Sequence, residues 1–600
     1  MQLTDFAAAP NLVRLFLDRA DELGDRPFLG AKIAGHWQTL SWREAARQVC
    51  LLAEALRAMG LADGDRVMLV SENRPEWAIA DLAIMAAGCI STPAYTTNTE
   101  RDHLHILENS GAAAVIVSSA KLAEPLLPAV VRSGKASHVV AIEPLRAGRQ
   151  GGFRCHMWNE LIEGDAAAAR RMVDARIARI GRRDPACIIY TSGTSGSPRG
   201  VLLHHGAILS NVDGAAEALE RDFGWEEERF LSFLPLSHAL EHTGGLFLPI
   251  GLGAEIWFAE GLDKLASNLE EARPTFMIVV PRLFEVLRGR LINQVEKQGR
   301  VANFLLQQAL ALAELHAAGK RRISDWAVER LLDLTLRPKV RARFGGRIKA
   351  LVSGGAPLNP EVGAFFQSMG LTMLQGYGQT ECGPVISVNF PSAGIKLDTV
   401  GPPLKDVEVR IADDGEILVR GELVMLGYWQ DPAETAKTFV DGWLHTGDIG
   451  HVDARGRIVI TDRKKDIIVN DKGDNIAPQK LEGMLTLQPA IAQAMVSGDK
   501  RPYVVALIVP DAEWTLRWAR ENGETFDCSA LQQLPAYRSA IRAALDRVNA
   551  DLSVIEKVRQ FAFADEPFSI ENGEMTPSLK IRRHAVRRRY SARIDGLYRS

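Results

Sequence analysis

Short apolar runs alternate with amphipathic stretches through the first 400 residues of the chain. Arg66-Val-Met-Leu-Val70 and Ala113-Ala-Val-Ile-Val117 read as strands, and Pro75 to Ala87 reads as a helix. Ile348-Lys-Ala-Leu-Val352 reads as a further strand, followed by a helix start at Asn359-Pro360-Glu361 with proline at the first helical position. This order predicts an α/β fold: a large N-terminal domain of layered sheets and helices, with largely parallel strands. Residues 285–345 depart from it. They are rich in Leu, Ala and Arg, and Val301 to Leu310 has helical periodicity, which predicts a helical insertion.

Beyond about residue 400 the pattern changes to hairpins and predicts a β-rich subdomain. Val407–Ile411 and Glu416–Arg420 flank the turn Asp413-Asp-Gly415, and Asp453-Ala-Arg-Gly456 makes a second turn before Arg457–Ile460. The charged break Asp462-Arg-Lys-Lys-Asp466 is a plausible joint. It divides the chain into an expected 1–461 domain and a small, mobile α+β domain over 462–600, with a strand near Tyr503–Val509 and a helix near 534–550.

Composition narrows the class. The 600 residues are 46% hydrophobic and 24% charged, as in a soluble globular protein. The 71 Lys/Arg nearly balance the 74 Asp/Glu, so general nucleic-acid binding is not expected. Six scattered cysteines include no C-x-x-C pair, which argues against a disulfide framework or zinc site and fits a reducing cytoplasm. The most apolar candidate span, Trp77 to Tyr95, contains Asp81 and reads as a core helix followed by a strand. The N-terminal residues Asp5, Arg14 and Asp18 interrupt any signal-peptide core, so a cytoplasmic location is expected.

Candidate chemistry centres on Tyr190-Thr-Ser-Gly-Thr-Ser-Gly-Ser-Pro-Arg-Gly200, entered from the buried-strand pattern Ala186–Tyr190. Its glycines allow close backbone approach to phosphates, its hydroxyls and amides donate hydrogen bonds, and Arg199 supplies charge. A flexible Ser/Gly surface loop would have a similar composition, but not this interleaved order directly after a strand. The spacing fits no Walker A loop.

Four further segments follow in order: Ser353-Gly-Gly-Ala-Pro357, Gly376-Tyr-Gly-Gln-Thr-Glu381, Trp443-Leu-His-Thr-Gly-Asp448 just ahead of an expected strand, and Asn572-Gly-Glu-Met-Thr-Pro-Ser-Leu-Lys580. Together the five closely resemble the motif set of the adenylate-forming superfamily, over nearly the whole chain. Leu234-Pro-Leu-Ser-His-Ala-Leu-Glu-His242, Val280–Phe284, Phe344-Gly-Gly346 and the helical insertion look like its long-chain fatty acyl-CoA synthetase branch.

The resemblance implies an ATP-dependent ligase acting in two steps. A long-chain fatty acid is activated to acyl-AMP, and CoA then takes the acyl group. Loading of a carrier-protein thiol, or acyl-adenylate binding without turnover, are the alternatives. It implies that Thr191, Ser192, Gly193, Thr194, Ser195, Gly196 and Arg199 hold the β- and γ-phosphates. Gly355, Ala356 and Pro357 line adenine on one side, with Tyr377, between Gly376 and Gly378, on the other. Thr380 contacts the α-phosphate, Glu381 with Thr191 serves Mg²⁺, and Asp448 with Arg463 serves the ribose. Lys580 bridges carboxylate and α-phosphate, His238 supports the reacting region, Asp462 is the hinge, and Gly473 lines the CoA path. The sequence departs from the family pattern at Ser195, Arg199 and His242, where Thr, Lys and Arg are usual. Residues 580–600 carry eight Lys/Arg and one Asp, a basic tail read as a solvated helix face that could also touch CoA phosphates or a membrane surface.

Overall fold

The computed structural model describes residues 6, 8–145, 152–191, 198–297, 299–317, 325–464, 466–472, 474–576 and 580–599. The chain forms two compact units. One comprises Met1–Arg410, Leu418–Thr446 and Val452–Val459; the other comprises Ile411–Ile417, Gly447–His451 and Ile460–Ser600.

The larger unit is built on two eight-stranded sheets. The first runs, in spatial order, Val385–Val388, Met373–Gly378, Ala350–Ser353, Phe276–Val279, Arg229–Ser232, Glu255–Phe258, Pro27–Ile33 and His36–Ser41. The second runs Gly427–Tyr428, Arg199–His204, Pro185–Thr191, Ile90–Pro93, Arg66–Val70, Ala114–Val117, His138–Ala141 and Arg154–Met157. Their central pairs are parallel, as the alternation predicts, and antiparallel pairs lie at the edges. The expected strand at 113–117 is buried at all four residues of Ala114–Val117. That is why it carries no polar face in the sequence.

Pro75–Ala86 and Ile90–Pro93 account for the apolar stretch around Asp81. Asp81 is fully buried, and its two oxygens accept hydrogen bonds from Ser91 Oγ at 2.5 Å and His242 Nε2 at 2.9 Å. His242 sits edge-on to Trp77 and Phe247 and opens a π-helical turn, His242–Phe247. The departure at position 242 is thus absorbed into a buried polar pair. Asp81→Ala leaves Ser91 and His242 without this partner and is expected to cost about 2–4 kcal/mol. Calorimetry should show the lowered melt, with a smaller loss for Asp81→Asn.

The insertion is helical as expected, in three helices: Pro281–Lys297, Arg300–Ala317 and Asp325–Arg343. No helix among the described residues is long and apolar enough to cross a membrane. In the smaller unit, Ile491–Ser497 and Val504–Pro510 pair antiparallel, and Val558–Phe563 adds a parallel edge. Helix Pro535–Ala550 packs Tyr537, Ile541 and Leu545 into the core formed with these strands.

One element differs from expectation. Trp443–Asp448 does not precede a strand but lies inside one, Trp443–Val452. Gly447, at φ +72°, interrupts the extended backbone there and hides the strand from a simple alternation test.

Candidate active site

Strands Pro185–Thr191 and Arg199–His204 are antiparallel, with Thr191 opposite Arg199. Ser192, Gly193, Thr194, Ser195 and Gly196 lie outside the described residues. The strand pair is tightly built: a Cβ on Gly200 would lie 2.7 Å from Ile188 and 3.3 Å from Trp429, whose N–H donates to the Gly200 carbonyl at 2.7 Å.

Arg199 does not stand as an isolated cation. Its Nη1 is 2.6 Å from Glu434 Oε1, and its guanidinium lies 5.7 Å from the centre of the Tyr428 ring. Burial would raise the Glu434 carboxyl, but Arg199 and Lys437 together hold it below its usual range. The Tyr428 hydroxyl donates to Glu381 Oε1 at 2.8 Å. Burial, then the adjacent Glu381 charge, pushes that phenol far above its ordinary value, so it remains a proton donor. A continuous path of Glu434, Arg199, Tyr428 and Glu381 therefore connects strand Arg199–His204 to the candidate metal carboxylate.

Tyr428 and Glu434 did not stand out in the sequence. The signal present was the helix start Asp431-Pro432, where Asp431 caps helix Pro432–Thr438 by accepting from the Glu434 N–H at 3.0 Å. Glu434→Ala should free Arg199 from this pairing and change the ATP KM severalfold with little effect on folding, which steady-state kinetics and a thermal melt would separate.

Glu381 lies in the short turn Thr380–Cys382, directly after strand Met373–Gly378. The Met425 N–H donates to its carbonyl at 2.9 Å, which fixes the backbone. Tyr377 is buried in the strand, and Thr380 is half-buried. Gly378 has a packing reason to be glycine, because a Cβ there would sit 1.9 Å from the Pro384 carbonyl oxygen. Segment 353–357 leaves the carboxyl end of the neighbouring parallel strand, Ala350–Ser353. Carboxyl ends of parallel strands are where open α/β sheets bind ligands. Gly355 adopts φ +80°, Ala356 is half-buried and Pro357 is exposed. A Cβ on Gly354 would lie 2.9 Å from Leu240, so this loop packs against the turn that follows His238. His238 is half-buried, and its Nδ1 accepts from the Leu240 N–H at 3.3 Å, which leaves the ring proton on Nε2 in the neutral form.

Beside this turn Glu241 is 1% exposed and accepts from Ser232 Oγ at 2.6 Å. Burial pushes its pKa up to about 8, so it is largely protonated at neutral pH.

The other candidates fall in the smaller unit. Asp448 is buried, and its Oδ1 accepts from Arg463 Nε at 3.2 Å. Just before it, the Gly447 N–H donates to Glu416 Oε1 at 2.8 Å, and the Gly447 carbonyl accepts from the Lys464 N–H at 2.8 Å. Lys464 Nζ reaches Asp414 and Glu416 at 2.7 and 3.1 Å. Lys580 is half-buried, its carbonyl accepts from the Thr576 N–H at 2.8 Å, and Met575 and Ile581 form an antiparallel bridge beside it. Burial and then Arg463 lower its pKa to about 8, against the opposing pull of Asp448 and Asp466. Asp462 ends in strand Ile458–Arg463, and burial raises its pKa to about 6. Gly473 lies outside the described residues.

Comparison with known proteins gives the class. Residues 16–429 match the model of the AMP-binding enzyme family, and residues 465–600 match that of the AMP-binding enzyme C-terminal domain. The chain belongs to the AMP-binding enzyme family. It is 34% identical to long-chain-fatty-acid–CoA ligase FadD15 of Mycobacterium bovis, over 94% of this chain and 93% of that protein. It is 30% identical to long chain acyl-CoA synthetase 1 of Arabidopsis thaliana, covering 96% and 90% of the two chains. The adenylation domain of a carboxylate reductase from Mycobacterium chelonae shares the fold with a TM-score of 0.75 at 21% identity, over 100% of this chain and 94% of that one.

Proposed function

We propose that the protein is a long-chain fatty acid–CoA ligase. The observation that carries this reading is the likeness, over 94% of the chain, to a relative named as a long-chain-fatty-acid–CoA ligase. A carboxylate oxygen of the acid attacks the α-phosphorus of ATP, the bond to the β-phosphate oxygen breaks, and pyrophosphate leaves. The CoA thiol then gives up its proton and attacks the acyl carbonyl carbon. The thioester forms, and AMP departs with the electron pair of the acyl-oxygen bond.

The roles follow from the local chemistry. Carboxylate and triphosphate are both anions, so their approach needs fixed positive charge and donors. Residues 191–200 would hold the β- and γ-phosphates, with Arg199 turning from Glu434 toward them. Gly355, Ala356, Pro357 and Tyr377 would enclose the base, and Thr380 would donate to the α-phosphate. Asp448 would accept from the ribose hydroxyls, assisted by Arg463. Lys580 would neutralise the carboxylate as it meets the phosphate, and His238 would keep the reacting groups in place. Asp462 would be the pivot between the two half-reactions, and Gly473 would leave room for the pantetheine arm.

Glu381 suits a hard cation: one carboxylate, already oriented by Tyr428, fits an ion that takes most of its remaining ligands from phosphates and water. Glu381 and the Thr191 hydroxyl would hold Mg²⁺, which screens phosphate charge when bound.

Pyrophosphate exchange with a panel of acids of increasing length tests the reading. Exchange driven by long-chain acids, with CoA required for thioester, is expected. No exchange with any fatty acid overturns the activity, and exchange without CoA-thioester points to a carrier-protein acceptor.

A further inference from the structure

We propose that Asn73 is a positioning residue for adenylation: it clamps the turn that carries His238 and so fixes where the imidazole stands. The inference rests on the assignment of His238 to the reacting region. Strand Arg229–Ser232 of the first sheet runs directly into this turn. Strand Arg66–Val70 of the second sheet ends just before Asn73, and helix Pro75–Ala86 begins just after it. The Asn73 side chain joins the two. Its Nδ2 donates to the Leu234 carbonyl at 2.7 Å and to Ser232 Oγ at 3.1 Å, and its Oδ1 accepts from the Leu236 N–H at 3.0 Å. One backbone partner is an acceptor and the other a donor, so a side-chain amide in this orientation satisfies both at once. Leu234 and Leu236 are buried, where backbone polar groups need such partners. An asparagine that merely shapes a turn bonds its own backbone a residue or two away. Here the partners lie 159 to 163 residues further along the chain.

The clamp closes a circuit around His238. The Ser232 hydroxyl accepts from Asn73 and donates to Glu241 Oε1 at 2.6 Å, so both ends of the 232–241 segment meet on one oxygen. Between those ends the His238 N–H donates to the Pro235 carbonyl at 2.9 Å, and the His238 carbonyl accepts from the Glu241 and His242 N–H groups, each at 3.0 Å. With Nδ1 taking the Leu240 N–H, the backbone and the ring are both oriented from within the segment. Asn73 ties that segment to the second sheet. A clamp transmits position only if its own end is held, and this one is. Glu72 accepts from Ser118 Oγ, and Arg74 pairs with Glu76 at 2.8 Å and Glu143 at 2.7 Å. A shift of about 1 Å in a group at the reacting centre can cost about 10²-fold in rate, so slack at Asn73 would be felt at His238.

A double-mutant cycle in pyrophosphate exchange tests the clamp, with the full chain and the best acid of the length panel. Asn73→Ala should lower kcat about tenfold and leave the ATP KM within about twofold, because Ser232, Leu234 and Leu236 are not among the residues assigned to ATP. His238→Ala should cost about 10²-fold. Adding Asn73→Ala to His238→Ala should cost no more than about twofold further, because a side chain that acts through the imidazole then has nothing left to position. An asparagine that serves stability alone would give losses that multiply. Should Asn73→Ala fail to fold, Asn73→Ser is cycled in its place: it keeps a polar side chain in the turn but is too short to reach both Leu234 and Leu236. Losses that multiply overturn the clamp, as does a loss confined to the ATP KM or full activity in His238→Ala. Absence of exchange in wild type overturns the ligase reading instead, and the clamp with it.

Discussion

Lys580→Ala is expected to reduce fatty-acid-dependent pyrophosphate exchange by about 10²–10³-fold, while thioester formation from supplied acyl-AMP and CoA stays within a few-fold of wild type. The asymmetry arises because charge repulsion between two anions belongs only to the first step. The lowered pKa adds a second signature. A lysine ordinarily stays charged to above pH 10, but burial and the Arg463 guanidinium bring this one to about 8. The ammonium therefore predominates below pH 8 and is lost above it. In the free enzyme, kcat/KM for adenylation should fall along an alkaline limb with an apparent pKa near 8. Lys580→Arg keeps the charge and should remove the limb, at reduced rate. Equal loss in both half-reactions, or an unchanged limb in Lys580→Arg, would refute the role.

Glu381→Ala is expected to lower adenylation by a similar factor, about 10²–10³-fold. The more discriminating variant is Tyr428→Phe, which removes only the hydroxyl that donates to Glu381. A loss of about ten- to hundredfold is expected, as for outer partners that orient a ligand, and raised Mg²⁺ should recover part of it. The melting temperature should hardly change, because the ring and its contact with Arg199 remain. Wild-type kinetics in Tyr428→Phe would show that the hydroxyl does not orient the carboxylate.

The parts legible in the sequence are those written in contiguous residues. Parallel strands buried on both faces, such as Ala114–Val117, appear as unbroken apolar runs, and the motif segments 190–200 and 376–381 carry their residue types at fixed offsets. What stayed hidden depends on partners far apart in the chain. Tyr428 meets Glu381 across 47 residues and His242 meets Asp81 across 161, and neither pairing leaves a local pattern. Position 242 shows the consequence. Within the Leu234–His242 motif it reads as a departure from the family pattern, whereas its full burial against Asp81 makes it part of the core. Position 378 is similar: a glycine beside the expected adenine-facing Tyr377 is required by the Pro384 carbonyl.

The interleaving of the two units limits how this enzyme can be recombined with its relatives. Asp448 belongs with the stretch beyond Ile460, as do Asp414 and Glu416, which grip Lys464. A graft exchanging only the residues after Asp462 would import Arg463, Lys464 and Lys580 but keep the recipient's counterparts of their acidic partners. Since Asp448 and Arg463 pull the Lys580 proton in opposite directions, such a hybrid would have its working pH reset by the junction itself. A modular exchange that preserves the titration of the donor enzyme must carry three separate stretches, 411–417, 447–451 and 460–600, as one inheritance.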